Sequence, residues 1–279
     1  MQIKEGTRII KGSEKIFNPQ KEFDNIITWT RNWFIDNAPN KPVIVGMSGG
    51  KDSTITAGLL CAALGKENVL GVILPNGNQK DLDIAIDVCK HMDINHLVIN
   101  INDITKSIEE NIEKHFILVD ATKYNIPPRV RMTYLYAVAA SVDGVVANTS
   151  NYSEAFIKYE TKWGDMCGDF SLLADYTVSE VLQIGKILVS LGICKEEHIY
   201  KTPEDGLTGK TDEDVFGFTY EELDIYIMYD ISPSMEKLTK IKSMYKKGLH
   251  KSQCISLPYP RNRGAWRCGR WLNDSGWLI

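Results

Sequence analysis

Val43-Ile44-Val45-Gly46-Met47-Ser48-Gly49-Gly50-Lys51-Asp52-Ser53 is the stretch around which the chain is organised. Val43, Ile44 and Val45 form an apolar run long enough for a buried strand. A turn follows, Ser48-Gly49-Gly50-Lys51-Asp52-Ser53, and residues 54–64 then read as a helix. Strand, glycine-rich turn and helix surround an anion with backbone N–H groups and the positive end of a helix dipole. Gly49 and Gly50 allow close backbone approach and φ > 0. Ser48 and Ser53 add hydroxyl donors, and Lys51 adds positive charge. Asp52 carries the most information, because a carboxylate here repels a bare phosphate unless a divalent cation lies between them. The spacing is neither G-x-x-x-x-G-K-[ST] nor G-x-G-x-x-G.

Outward from this stretch, strands and helices alternate. Residues 20–38 have the three- and four-residue apolar spacing of an amphipathic helix, which residues 37–41 and Pro42 end. Residues 69–74 and 96–99 predict two further strands. Residues 81–91 and 103–115 predict helices, with Asp103 as a plausible N-cap for the second. Pro127-Pro128 punctuates the chain, and residues 129–141 follow as an apolar helix with Arg129 and Arg131 in its first turn. Cations are disfavoured at that end of a helix dipole, which points to a binding role for them. Residues 145–147 predict a fourth strand. Residues 148–169 are polar, irregular and dense in carboxylates, as functional loops are. Helices are expected at residues 177–191, 220–229 and 234–247, with a Gly- and Asp-rich loop, expected to be a mobile lid, at 202–214. The alternation predicts an α/β fold, a doubly wound parallel sheet with helices on both faces and ligands beyond the carboxyl ends of its strands.

The 279 residues carry a net charge of −4, which by itself argues neither for nor against a nucleic-acid partner. No repeat and no shift in composition marks a linker. The chain therefore reads as a single domain, residues 1–279, with 252–279 as a C-terminal tail. Its six cysteines lack C-x-x-C spacing and its five histidines lack ligand spacing, which argues against zinc and for buried thiols in a reducing cytoplasm. The N-terminus has no apolar h-region, and Asp143 interrupts the longest apolar run, so neither a signal peptide nor a membrane span is expected. In the tail, Arg interleaved with Trp266, Trp271 and Trp277 could bind nucleic acid. Packing of those rings on the domain is the favoured reading.

Ser48-Gly49-Gly50-Lys51-Asp52-Ser53 resembles the pyrophosphate loop of the N-type ATP pyrophosphatases, which have an adenine-nucleotide α-hydrolase-like fold. Later stretches narrow the resemblance. Pro128-Arg129-Val130-Arg131-Met132 is similar to the A-R-x-R-M signature of ammonia-dependent NAD synthetase. Asn148-Thr149-Ser150-Asn151-Tyr152-Ser153-Glu154 is similar to that family's G-T-x-N-x-S-E. Tyr159-Glu160-Thr161-Lys162-Trp163-Gly164-Asp165, followed by Asp169, resembles its G-Y-x-T-x-(Y/F)-G-D. Asp205-Gly206-Leu207 with Lys210-Thr211-Asp212-Glu213 resembles its D-E-rich loop, and His250-Lys251 its closing pair. The matches run in order over nearly the whole chain.

The resemblance implies a ligase. ATP would adenylate the nicotinate carboxylate of deamido-NAD, and free ammonia would displace AMP, giving NAD, AMP and pyrophosphate. It implies Gly46, Met47, Ser48, Gly49, Gly50, Lys51, Asp52, Ser53 and Thr149 for ATP, and Asp52 and Glu154 for magnesium. Arg129, Lys162, Asp169, His250 and Lys251 are implied for deamido-NAD. Lys51, Asp52 and Asp165 are the implied catalytic residues, and either Asp165 or Asp169 could bind ammonium or take a proton. A carboxylate approaching a polyphosphate is a like-charge encounter, so metal and Lys or Arg matter more here than a general base. Family members are homodimers, and the helix at 129–141 with its preceding segment is a natural interface. No glutaminase-like constellation is visible, so free ammonia is the expected nitrogen source.

The chain departs from the family at Val178 and Glu204, where some members have ATP-contacting Lys and Thr or Ser, and at Phe34, where a Tyr is common. These departures suggest an altered adenine pocket. Two alternatives remain open: another N-type ATP pyrophosphatase amidating or thiolating a different substrate, and a nucleotide-binding module without catalysis. The filled carboxylate positions Asp52 and Glu154 argue against the second.

Overall fold

Helix α1 (Pro19–Asn37) begins where Asn18 accepts a hydrogen bond from the Lys21 N–H and Pro19 supplies a preset φ. Its buried residues Phe23, Ile26, Ile27, Thr30 and Phe34 recur at helical spacing. A computed structural model describes residues 7–10, 13–79, 81–200 and 211–252. A short antiparallel hairpin, β1 (Thr7–Ile10) and β2 (Ser13–Ile16), precedes α1.

The sheet has five parallel strands, numbered in chain order β3 (Val43–Gly46), β4 (Val69–Ile73), β5 (Asn95–Val98), β6 (Val145–Asn148) and β7 (Phe170–Ser171). Across the sheet they run β5-β4-β3-β6-β7. Val43 stands opposite Val69 on one side and Val145 on the other, so β3 is central. The chain winds outward from β3 in one direction through β4 and β5, then in the other through β6 and β7. The reversal lies between β3 and β6, the place where such sheets open a ligand crevice at their carboxyl edge.

Alternation along the strands feeds two cores. Val43, Val45, Val69 and Ile73 point to one apolar cluster, and Ile44, Val72 and Val146 to the other. The first is closed by α1, α2 (Lys51–Leu64), α3 (Leu82–His91) and α7 (Val178–Ser190). Helix α2 is buried on nearly every side, and its Gly58 and the Gly185 of α7 let the two helices meet: a Cβ at Gly185 would lie 2.8 Å from Ile55 Cδ1. The second cluster is closed by α4 (Asn102–Glu113) and α5 (Asp120–Ser141). Each fully buried aliphatic side chain contributes about 1.5–3 kcal/mol. A third cluster joins α6 (Tyr152–Ile157), α9 (Asp212–Phe216), α10 (Tyr220–Tyr229) and α11 (Met235–Gly248) around Ile157, Phe216, Phe218 and Leu223. A single turn, α8 (Glu196–Ile199), follows α7.

The structure corrects several sequence expectations. Pro127 and Pro128 lie inside α5, which starts at Asp120, so Arg129 and Arg131 are mid-helix and the dipole argument for them falls. Prolines there remove the hydrogen bonds to the carbonyls of Lys123 and Tyr124. The helix continues because Ile126, Pro127 and Val130 bury on both sides of the break. Asp103 is not the cap of α4: Ile101 holds that position, with no side-chain bond. The polar stretch 148–169 contains α6, begun by a reciprocal capping box between Asn151 and Glu154. Strand β7 was not anticipated. Helix α2 starts at Lys51, three residues before the expected start. The lid expected at 202–214 and the tail at 252–279 lie largely outside the described residues, but Thr211 caps α9 through Asp214. Among the described cysteines all four are free, and burial pushes the thiols of Cys61, Cys89 and Cys194 up to about 12.

Candidate active site

The turn after β3 is held by its own serines. Ser48 N–H donates to Ser53 Oγ at 3.3 Å, the two hydroxyls lie 3.1 Å apart, and Gly50 N–H donates to Ser48 Oγ at 3.2 Å. Gly50 is the N-cap of α2 and has no side chain to occupy the first N–H groups of the helix, which stay available to an anion. Gly49 has φ +78°, and a Cβ there would lie 3.0 Å from the Asp81 carbonyl and 3.2 Å from Ala85 N. Its glycine is therefore required by packing against the start of α3, whereas the sequence had suggested close approach to the ligand. Gly46, Met47, Ser48, Gly50, Lys51, Asp52 and Ser53 line a cavity of about 1070 Å³; Gly49 does not.

Lys51 is only 6% exposed. Its Nζ lies 2.8 Å from Asp52 Oδ2 and 5.4 Å from the centre of the Tyr220 ring. Burial alone would lower its pKa, but the charges of Asp52 and Glu154 outweigh burial and hold it above its ordinary value. Asn151 bridges the two carboxylates. Its Nδ2 donates to Asp52 Oδ1 at 3.2 Å, and its backbone N–H donates to Glu154 Oε2 at 3.4 Å. Burial first, and the nearby Asp52 charge second, push Glu154 up to about 8, so this acid is mostly protonated at neutral pH. The expected pair Asp52 and Glu154 is thus brought together at the switch point, from the first turn of α2 after β3 and that of α6 after β6.

Arg131, Glu160, Asp165 and Lys251 line the same cavity. Asp165 Oδ1 accepts from the Thr161 N–H. Its carboxylate opens to the cavity, yet the surrounding walls withdraw enough water that burial raises it to about 6. Arg131 donates through Nε to the Leu74 carbonyl at 3.0 Å, and burial lowers its pKa against the opposing charge of Asp165. Lys251 Nζ donates to the carbonyls of Lys158 and Glu160 at 2.9 and 2.8 Å. Gly168 lets this loop lie on β6, since a Cβ there would come within 2.6 Å of Asn148 Cβ and 2.7 Å of Asn148 N.

The other expected residues divide. Thr149 lines the cavity beside Ser150. Arg129, Lys162 and His250 do not. They form a chain of their own, with Arg129 Nε donating to the Lys162 carbonyl at 3.2 Å and Lys162 Nζ to the His250 carbonyl at 3.1 Å. Asp169 is also off the wall: its Oδ2 accepts from the Val146 N–H at 2.7 Å, bracing β6. Val178 and Phe34 are core residues and not cavity residues. Val178 sits in the third cluster, and Phe34 packs edge-on against Phe170 at 5.6 Å. Glu204 lies outside the described residues. The sequence pattern does not mark Asn151, Tyr220 and Asp212 as members of the site, and it gives Arg131 a binding role without naming what it binds. The signal for Asn151 was present, as its spacing to Glu154 is that of a capping box. Away from the cavity, Asp87, Glu197 and His198 cluster with metal-ligand proximity, but Lys195 Nζ, 2.7 Å from Asp87 Oδ2, already supplies the cation.

Comparison with known proteins bears on this arrangement. The family model described as NAD synthase matches residues 23–255. An NH(3)-dependent NAD(+) synthetase of Thermococcus sibiricus is 38% identical over 231 residues, 78% of this chain and 89% of that protein. Among solved structures, an NMN synthetase from Francisella tularensis is 29% identical, with a TM-score of 0.79 over 87% of this chain and 99% of that one. An NH3-dependent NAD synthetase from Campylobacter jejuni shares the fold, with a TM-score of 0.68 at 24% identity over 87% of this chain and 100% of that one.

Proposed function

The chain belongs to the NAD synthase family, and we propose that it amidates the nicotinate carboxylate of deamido-NAD with free ammonia, converting ATP to AMP and pyrophosphate. It is an ATP-dependent ligase. The observation that carries this reading is that Lys51, Asp52 and Glu154 line a single cavity together with Asp165, Arg131 and Lys251. Pyrophosphate needs the first set, and an activated carboxylate meeting ammonia needs the second.

In the first step a nicotinate oxygen bonds to the α-phosphorus as the bond from that phosphorus to the bridging oxygen breaks. The leaving pyrophosphate is received by the N–H groups at the start of α2, the hydroxyls of Ser48 and Ser53, and Lys51. The two neighbouring carboxylates fit a hard divalent cation, because burial first and the charge of Asp52 second disfavour an ionised Glu154 without one. Magnesium held by Asp52 and Glu154 would supply charge neutralisation on the phosphates. In the second step ammonia nitrogen bonds to the acyl carbon, the bond to AMP oxygen breaks, and one proton leaves the nitrogen. Asp165, which lines the cavity, would attract ammonium and accept that proton.

Mass detection of AMP and NAD from deamido-NAD, ATP, magnesium and ammonium tests the reading. ADP as product would refute it, since that requires cleavage between the β and γ phosphates. A second reading is favoured by one observation: of the five residues expected to hold the dinucleotide, Lys251 alone lines the cavity. A smaller acid, nicotinate mononucleotide, suits such a site, and the Francisella neighbour is described as an NMN synthetase. Supplying both acids in competition separates the two. The segment before α5 exposes Phe116 at 73% and Ile117 at 95%; paired copies of the chain would bury these side chains, and light scattering checks for a homodimer. Among the described residues no helix is long and apolar enough to cross a membrane, and the free thiols suit a reducing cytoplasm.

A further inference from the structure

Two residues of α10 reach both halves of the phosphate site. Tyr220 and Asp224 are four apart and share one face of the helix. Tyr220 is 5% exposed, and its ring stands over Lys51 Nζ at 5.4 Å. Its hydroxyl donates to Asp212 Oδ2 at 3.2 Å and its backbone N–H to Glu213 Oε1 at 2.9 Å, which fix the ring from the side of α9. Asp224 is fully buried. Its Oδ1 accepts from the Ser153 hydroxyl, and its Oδ2 accepts from Ser179 N–H at 2.8 Å and Ser179 Oγ at 2.6 Å. Ser153 Oγ in turn accepts from the Val178 N–H at 3.0 Å. Ser153 is the residue before Glu154, in the first turn of α6.

We propose that α10 is the positioning element of the site: Tyr220 holds Lys51 where pyrophosphate departs, and Asp224, through Ser153, fixes the turn that carries Glu154. The inference rests on the function proposed above. Lys51 has a long flexible stem and is bonded to Asp52, a residue that must also face a cation. A second anchor is needed that does not neutralise the lysine. An aromatic face does this, attracting the ammonium while leaving its charge intact. A carboxylate that accepts three hydrogen bonds from two other helices fixes their relative placement. Tyr220 and Asp224 are positioning residues and not catalytic ones, since each works through its neighbour.

Calorimetric binding of pyrophosphate to the full chain, with neither the acid nor ammonia present, tests this. Without magnesium, Tyr220→Leu should weaken pyrophosphate binding about tenfold, and Tyr220→Phe, which keeps the ring, by less than about threefold. Ser153→Ala and Asp224→Asn should leave that metal-free binding unchanged. They should raise the magnesium concentration needed to tighten it by about fivefold or more. General structural damage would move both readouts together, so the crossed pattern is the expected result. If Asp224→Asn fails to fold, Ser153→Ala decides that arm. Tyr220→Leu binding pyrophosphate like the wild type, or Ser153→Ala shifting neither readout, would overturn the inference while the proposed reaction stood. A wild type that binds pyrophosphate but makes no AMP would sink the reaction and leave these anchors in place.

Discussion

Replacing Glu154 with Gln should make the metal-free protein more stable and the enzyme inactive. Glu154 is half-buried beside Asp52, and its pKa is raised from the ordinary 4.5 to about 8. An acid whose folded value is raised binds more protons in the folded state than in the unfolded state between those two values. Stability of the wild type therefore falls as pH rises from 4.5 towards 8 and levels off above 8. Integrating over that window gives a penalty of about 4 kcal/mol at pH 8 and below about 1 kcal/mol at pH 5. Glutamine keeps the shape and an acceptor for the Asn151 N–H but does not titrate. The variant should gain about 3 kcal/mol relative to wild type on going from pH 5 to pH 8. The loss of a partner charge for Lys51 makes that the upper figure. For a chain of this size it corresponds to a melting shift of about 5 °C. Thermal melts without magnesium or nucleotide at the two pH values measure the shift, and AMP formation measures activity. Magnesium should raise the melting temperature of the wild type at pH 8 and leave that of the variant unmoved. A variant that melts at or below the wild type at pH 8 would refute the reasoning, because Glu154 would then be ionised and well compensated in the metal-free fold.

Asp52→Asn should abolish AMP formation with the melting temperature within about 3 °C of wild type, since Asn keeps the shape and an oxygen to accept from Asn151 or Lys51; a large joint loss of stability and activity would assign it a structural role instead. Asp165→Asn should raise the ammonium concentration for half-maximal rate by about fivefold or more with little change in the KM for ATP. In the wild type the same concentration should climb as pH falls below 6, where Asp165 becomes protonated. An unchanged ammonium dependence removes Asp165 from the role. Gly168→Ala should destabilise the protein by about 2 kcal/mol or more, because the new methyl meets Asn148 backbone and Cβ atoms that cannot retreat; urea unfolding with an unchanged midpoint would contradict it.

The local and periodic features of this chain were determined by sequence alone. The run Val43-Ile44-Val45, its glycine turn and the alternation that follows specify a parallel sheet, because strand and helix periods and turn chemistry act over a few residues. The pairing of Lys51 with Asp52, and the capping box that presents Glu154, are also set within four residues. Tertiary structure decided the rest. Pro127 and Pro128 read as a boundary, yet burial of Ile126, Pro127 and Val130 carries α5 through them. Gly49 reads as a position of positive φ, which it has, but only the fold shows that α3 also approaches it. Arg129, Lys162, His250 and Asp169 lie in family-like stretches, but the fold ties three of them to one another and the fourth to β6. Tyr220 and Asp224 carry no motif at all. Their place beside residues about 170 and 71 positions earlier follows from the packing of α10 against α7 and α6, and contacts at that separation depend on the summed burial of whole elements, which no local pattern records.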